Sequence, residues 1–477
     1  MPLKTESLPL ATPLDPAEEP PGSIDPLGTL SAAERLADVL LPGFTARMWR
    51  ARLLTFTAVS AAIADRVVAL MGGREEVRLE ARLAFERFYV SAVVRMHQKD
   101  PENYDRARRR LPGIDLARKA LSVGEPLTRS NFLKGQAVNG PFGVMARLAR
   151  NLELVDDEGY LGGNAPSLLL AWSEDQSLPG ILDDKGSADR PGTVWAVNVT
   201  RLVAVYMGKN QWPGSSHGIW EQLATCLRLD QLGVREQRVL SQLLETDEIR
   251  RRMIEILRDS IQIYRDVDQG NGRGWTERIV FHQAVKAALR DGPIDRLISV
   301  ASFAVEAYET ATALFQQAFD GLIWSLKQYG GRAAPDVLLA DPRLRSHLER
   351  TMGELGNHIS LLDRAIEQMR DNPSSNHPSL IESLARLREE TVTASASSLM
   401  LLVDTVLGRH ERVQREKRKS AWIDRESQWT LMPGFGMDGD APTVYVGTYL
   451  HPFRILNIYS MLADLRQISM ETSDGEE

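Results

Sequence analysis

Residues 139–172 read NGPFGVMARLARNLELVDDEGYLGGNAPSLLLAW, and their rhythm changes twice. Apolar residues recur at helical spacing from Phe142 to Leu152, short runs follow, and helical spacing resumes at Ala165. Asp157-Glu158-Gly159, between LELV and YLGG, supplies the turn chemistry of a hairpin. Just upstream, TRSNFLKGQAV gives a short helical piece broken at Gly135 and at Gly140-Pro141. Helix, short helix, longer helix, hairpin is the order of a winged helix-turn-helix. The reading therefore places a winged-helix domain at 104–175, which either reads DNA or only packs.

Charge bears on that choice. The 477-residue chain has a formal net charge of −7, yet from Asp105 to Arg150 ten Lys or Arg face three acids, a local surplus of +7. A generic polyanion binder is excluded by the whole-chain charge, and a local basic patch is not. The candidate nucleic-acid contacts are Arg106, Arg108, Arg109, Arg110, Lys134, Arg147 and Arg150. Arg147 and Arg150 lie three apart on the expected recognition helix, on neighbouring positions of one face. The expected partner is double-stranded DNA, together with other protein subunits.

Outward from this domain the chain reads as mainly α. Residues 1–28, with seven prolines in the first 26, form a disordered or extended arm and lack the apolar core of a signal peptide. A helical region spans 29–103, opening on a capping box at Ser31 and Glu34, with a long helix from near Thr45. Residues 176–218 turn to Gly, Pro, Ser and Asp and read as an irregular linker. Within it TVWAVNVTRLVAVYMG fits a strand or a short helix. Residues 219–420 read as a helical bundle, 421–470 as a hairpin and closing-helix cap, and 471–477 as an acidic tail. The fold class is thus a multi-helix body with an embedded winged helix and small β-hairpins.

Other motifs point away from enzymatic chemistry. Cys226 is the single cysteine, which excludes an internal disulfide and a Cys-based zinc site and fits a reducing cytoplasm. The eight histidines are scattered, with no His-x-His or His-Glu-x-x-His pair. DVDQGNGRGWTE, 266–277, has Gly270 where a calcium loop needs an oxygen ligand and Asn271 where it needs the turn glycine. No catalytic residue, metal or cofactor is expected. The most apolar stretch, LLTFTAVSAAIADRVVALMGG, is interrupted by Asp65 and Arg66, so no membrane span is expected. RHERVQREKRK, 409–419, reads as a solvated helix face or a phosphate contact.

Three stretches, LLPGFTARMWRAR, NLELVDDEGYL and YLHPFRILNIYSMLADL, carry a resemblance. Together they resemble a group of large helical bacterial proteins of uncharacterised activity encoded beside phage-defence genes. The resemblance implies a component of a defence or DNA-transaction complex and draws attention to Pro42, Gly43, Arg50, Arg52, His451, Pro452 and Arg454. Read from the residues alone, Arg50, Arg52 and Arg454 sit in apolar surroundings and need acid partners or a phosphate if buried. His451 joins them as a structural or phosphate contact. A scaffold whose winged helix only packs, and an enzyme built from dispersed residues, stay open as alternatives.

Overall fold

The computed structural model describes residues 25–182, 189–209, 211–214, 217–268, 272–372, 377–435 and 447–469. Most of the proline-rich arm, the centre of the calcium-loop-like stretch and the acidic tail lie outside them. In chain order the helices begin with α1 (Leu30–Leu40), α2 (Arg52–Leu70), α3 (Arg78–Lys99), α4 (Pro101–Arg108), α5 (Ile114–Ser122) and α6 (Gln136–Asn139). Next come α7 (Pro141–Asn151), α8 (Ala165–Asp175), α9 (Pro191–Lys209), α10 (Ile219–Cys226), α11 (Val234–Leu244), α12 (Glu248–Asp259) and α13 (Ile261–Asp268). α14 (Arg273–Val280) continues through a π-helical turn, Phe281–Val285, into α15 (Lys286–Ala288). The remainder are α16 (Pro293–Gln328), α17 (Pro335–Ala340), α18 (Pro342–Asp371), α19 (Pro378–Ala394), α20 (Leu399–Glu416) and α21 (Ile455–Asp464).

These elements form two units. The first comprises Met1–Leu36, Gly272–Arg278 and Ser299–His451, and the second Ala37–Asn271, Ile279–Ile298 and Pro452–Glu477. The stretch 219–420 is accordingly shared between them.

In the second unit α2 is central because it is apolar on every side. It is long and apolar enough to cross a membrane, yet 78% of that window is buried inside the protein. α3, α7, α8 and α9 pack on it, and α10 packs on α3. Phe56 of α2 stacks on Phe85 of α3, with ring centroids 5.4 Å apart. The supposed linker at 176–218 is corrected here. α9 fills its middle, and Trp195, Val199, Val203 and Tyr206 are buried, so packing on α2 and α3 overrides the β preference of those residues.

The winged-helix expectation meets a second correction. α5, α6 and α7 follow in the expected order, but the wing is reduced to one antiparallel bridge, Val155 with Leu161. Gly159 closes that turn at φ +86°, and α8 begins four residues beyond Leu161, too soon for a ladder to grow. The sheet that does form among the described residues lies in the first unit. Its three antiparallel strands run in the order β1 (Arg332–Ala333), β3 (Trp429–Leu431), β2 (Ile423–Arg425), with Arg332 opposite Thr430 and Ile423 opposite Leu431. In the same unit, α18, α19 and α20 pack on one another. α1 starts at Leu30 rather than at a Ser31 capping box: Asp25 accepts from the Thr29 and Leu30 backbone N–H at 2.8 and 3.2 Å, while Ser31 takes a bond from Arg35.

Candidate nucleic-acid interface

In the second unit, residues 41–51 link α1 to α2 and frame the site. Gly43 turns the chain at φ +84°, and a Cβ there would approach Asn151 and Leu148 of α7 to 3.2 Å, so glycine alone fits without strain. Helical spacing predicts a helix from near Thr45, whereas α2 starts only at Arg52. The reason is capture of the intervening carbonyls by α21. Asn457 donates to the Ala46 and Met48 carbonyls at 3.1 and 3.2 Å, and Ser460 donates to that of Trp49 at 2.7 Å. Two of the three stretches that carry the sequence resemblance are therefore packed together.

Acids meet the buried arginines. Arg50 Nε lies 3.2 Å from Asp464, which also accepts from the Ala51 N–H at 2.9 Å. Burial pushes the Asp464 carboxyl up to about 6, with Arg50 opposing. Arg52 is fully buried, 3.1 Å from an equally buried Glu236, and donates to the Cys226 carbonyl at 3.0 Å. The Cys226 thiol is raised by burial to about 11, which leaves it protonated and inert at neutral pH. Arg454 is 2% exposed, adopts a left-handed backbone with φ +73°, and donates to Asp38.

The basic candidates divide by exposure. On α7, Phe142, Val144, Met145 and Leu148 face the core, while Arg147 and Arg150 are exposed. Arg147 donates to Asp38 at 2.6 Å, so one carboxylate is shared between Arg147 and Arg454. Arg150 lies 3.3 Å from Asp157, whose side chain is 88% exposed. Arg108 and Arg109 both hold Asp105, whose carboxyl they keep below its usual range by hydrogen bonding. Arg106 and Lys134 are exposed. Arg110 lays its guanidinium 4.0 Å above the Trp49 ring.

Sequence spacing missed Arg47, Trp49 and Asp38. Arg47 is exposed and donates to Asn139, just before α7, at 2.6 Å. Asn139 in turn donates to the Lys134 carbonyl at 2.9 Å. These bonds join the loop at Arg47 to the chain at Lys134 and to the start of α7. The expected helix from near Thr45 hid Arg47 and Trp49, because the chain from Thr45 to Ala51 precedes α2.

Behind α7 lies Glu86 of α3, fully buried, accepting from Gln136 at 2.7 Å and from the Phe142 N–H at 2.7 Å. Burial raises it to about 7. It borders a cleft of about 140 Å³ that Arg82, Phe142, Arg150 and Asp157 also line.

His451 belongs to the first unit. Its Nδ1 meets Glu309, and its Nε2 is 2.9 Å from the Thr29 hydroxyl. Carboxylate, imidazole and hydroxyl in that order is the arrangement of an activated nucleophile. Here, however, Thr29 is 5% exposed and its hydroxyl faces Asp25 at 3.3 Å. Burial disfavours the charged ring, yet Glu309 and Asp25 outweigh it and raise the His451 pKa. The Thr29 hydroxyl also has Asp25 as an acceptor, so the three groups form a buried hydrogen-bond network that ties Thr29, His451 and Glu309 together. Among the described residues, no group of three or more His, Cys, Asp or Glu is placed to hold a metal ion. No protein-family model, no curated protein and no solved structure matches the chain.

Proposed function

We propose that the second unit binds the backbone of double-stranded DNA, as a non-catalytic component of a bacterial antiphage-defence or DNA-transaction complex. The observation that carries this reading is the division of α7 into a buried apolar side and an exposed edge bearing Arg147 and Arg150. The order of α5, α6, α7 and the Val155–Leu161 turn supports this reading, in which α7 would serve as the recognition helix. Arg47, Arg106, Arg109, Arg110 and Lys134 add exposed positive charge from neighbouring segments. The acid partners of Arg109, Arg147 and Arg150 do not preclude phosphate: an exposed ion pair is worth only ~0–1 kcal/mol, so exchange for a phosphate is cheap. The defence assignment rests on the sequence resemblance alone.

The test is a fluorescence-anisotropy titration of a labelled duplex against the full chain at several salt concentrations. Neutralising roughly three to five phosphates gives a log–log salt slope of about −3 to −4.5. An Arg147→Glu/Arg150→Glu variant loses this binding, and absence of binding to duplex at low salt overturns the reading. A scaffold whose α7 only packs is the second reading, favoured by the bond from Arg147 to a carboxylate shared with buried Arg454. It predicts stable co-purification with a partner subunit and no duplex binding.

A further inference from the structure

The basic run at 409–419 is not used by the proposed DNA face, and in the first unit it borders a cleft of about 380 Å³. Five cations line that cleft from three elements: Arg35 of α1, Arg386 of α19, Arg409 and Arg412 of α20, and Lys417 just beyond it. Ser31, Ser379 and Ser383 add hydroxyls.

The arrangement is built rather than incidental. Arg35 donates to the Ser31 hydroxyl at 2.8 Å and to the Ser379 carbonyl at 3.0 Å, which fixes it across the opening turn of α19. Arg409 is 8% exposed, donates to the Leu27 carbonyl at 2.6 Å, and shares one carboxylate, Glu390, with Arg412. One carboxylate thus anchors two guanidinium groups. Three acids line the cleft against the five cations. Asp25 accepts from the Thr29 and Leu30 backbone N–H groups at the start of α1 and lies 3.7 Å from Lys417, Glu382 stands 3.5 Å from Arg386, and Glu416 is the third. The first two turns of α19 form part of the wall, and its first turn carries no acid to offset the positive end of the helix.

We propose that this cleft is a binding site for a small phosphorylated ligand. Its volume is at the lower end of small-molecule sites, and cations that converge on a concavity suit a compact anion better than an extended backbone. Arg35, Arg386 and Arg412 contact the phosphate oxygens, the serine hydroxyls complete their hydrogen bonding, and Arg409 supplies charge from behind. This site is independent of the DNA face, since its residues belong to the other unit.

Isothermal titration of the full chain with inorganic pyrophosphate, with sodium chloride at matched ionic strength as the blank, tests the proposal. Saturable one-to-one binding is expected. Arg386→Ala/Arg412→Ala, at two positions that are about half and two-fifths exposed, weakens it roughly tenfold or more while the far-ultraviolet circular dichroism is retained. Arg147→Glu/Arg150→Glu leaves it unchanged, which separates failure of this site from failure of the DNA reading. Absence of saturable heat at millimolar pyrophosphate overturns the proposal. So does equal affinity in the Arg386→Ala/Arg412→Ala variant, or stoichiometric displacement of pyrophosphate by duplex DNA.

Discussion

Arg147 donates from Nη2 to Oδ2 of Asp38 across 2.6 Å, and the other oxygen of the same carboxylate accepts from Arg454. One side chain of α1 therefore secures both the exposed edge of α7 and the buried start of α21. The two ends of this bridge differ in exposure: Arg147 is half exposed and Arg454 only 2%. Removing Asp38 takes a carboxylate from a buried cation, whereas removing Arg147 leaves the inner half of the bridge in place. Asp38→Ala is expected to cost about 2–4 kcal/mol in urea unfolding, and Arg147→Ala less than about 1 kcal/mol. Equal midpoints for the two variants would show that the carboxylate anchors nothing.

The same bridge ranks the two arginines as DNA contacts. Among the described residues, Arg150 pairs with an Asp157 side chain that is 88% exposed, so its release to a phosphate costs little. Arg147 must leave a carboxylate that is 23% exposed. Arg150→Glu is therefore expected to weaken duplex binding roughly tenfold at low salt, and Arg147→Ala by less than about threefold. Anisotropy titrations of the two variants side by side decide this, and the reverse order refutes it.

The elements whose stability is local were legible in the sequence. α7 carries apolar residues at helical spacing and appears where that spacing placed it. What was not legible depends on partners far along the chain. α2 starts at Arg52 because Asn457 and Ser460 take the carbonyls before it, and no pattern within 45–52 announces a residue about 411 positions away. Arg454 finds its acid 416 residues upstream in Asp38. α9 was ambiguous because its Val, Thr and Trp content favours strands, and only burial against α2 and α3 makes it a helix. Similarly, turn residues at 157–159 announced a hairpin without revealing that the ladder would stop at one bridge.

Glu86 gives the fold a pH signature. Its usual value is 4.5, and burial raises it to about 7. Between those values the folded protein holds a proton that the unfolded chain has released, so stability falls as pH rises from about 4.5 to about 7 and is then level. The full shift corresponds to about 3 kcal/mol. Glu86→Gln keeps an acceptor for the Phe142 N–H and removes the titration. Urea midpoints measured across this range should flatten in that variant, and an unchanged profile would exclude Glu86 as the source.

Arg52 and Glu236 form the second unit's fully buried ion pair, with Thr55 donating to the same carboxylate at 2.6 Å. Glu236→Gln leaves a buried guanidinium without its counter-charge, and a loss of about 3–5 kcal/mol is expected. By contrast Arg52→Met/Glu236→Leu, which removes both charges, should recover more than half of that loss. Glu174→Gln, at the exposed Arg235–Glu174 pair, should leave the midpoint unchanged. If the double variant is less stable than Glu236→Gln, the carbonyl contacts of Arg52, rather than the ion pair, hold this part of the core.

In the first unit, His451 should titrate above its usual value of 6.5, because Glu309 and Asp25 outweigh the effect of burial. A raised pKa means that the proton stabilises the fold. That stability is complete below pH 6.5 and is lost as pH rises through the higher folded value. Glu309→Gln removes the main opposing charge and leaves burial dominant, so the ring should titrate below its usual value. The pH slope contributed by this residue then reverses sign. Glu309 also accepts from the His451 backbone N–H at 3.3 Å, so the variant loses some stability for reasons unrelated to the proton. The decisive reading is therefore the NMR titration of the His451 ring, assigned by comparison with His451→Gln. An unshifted titration in Glu309→Gln would mean that Asp25, acting through Thr29, holds the proton.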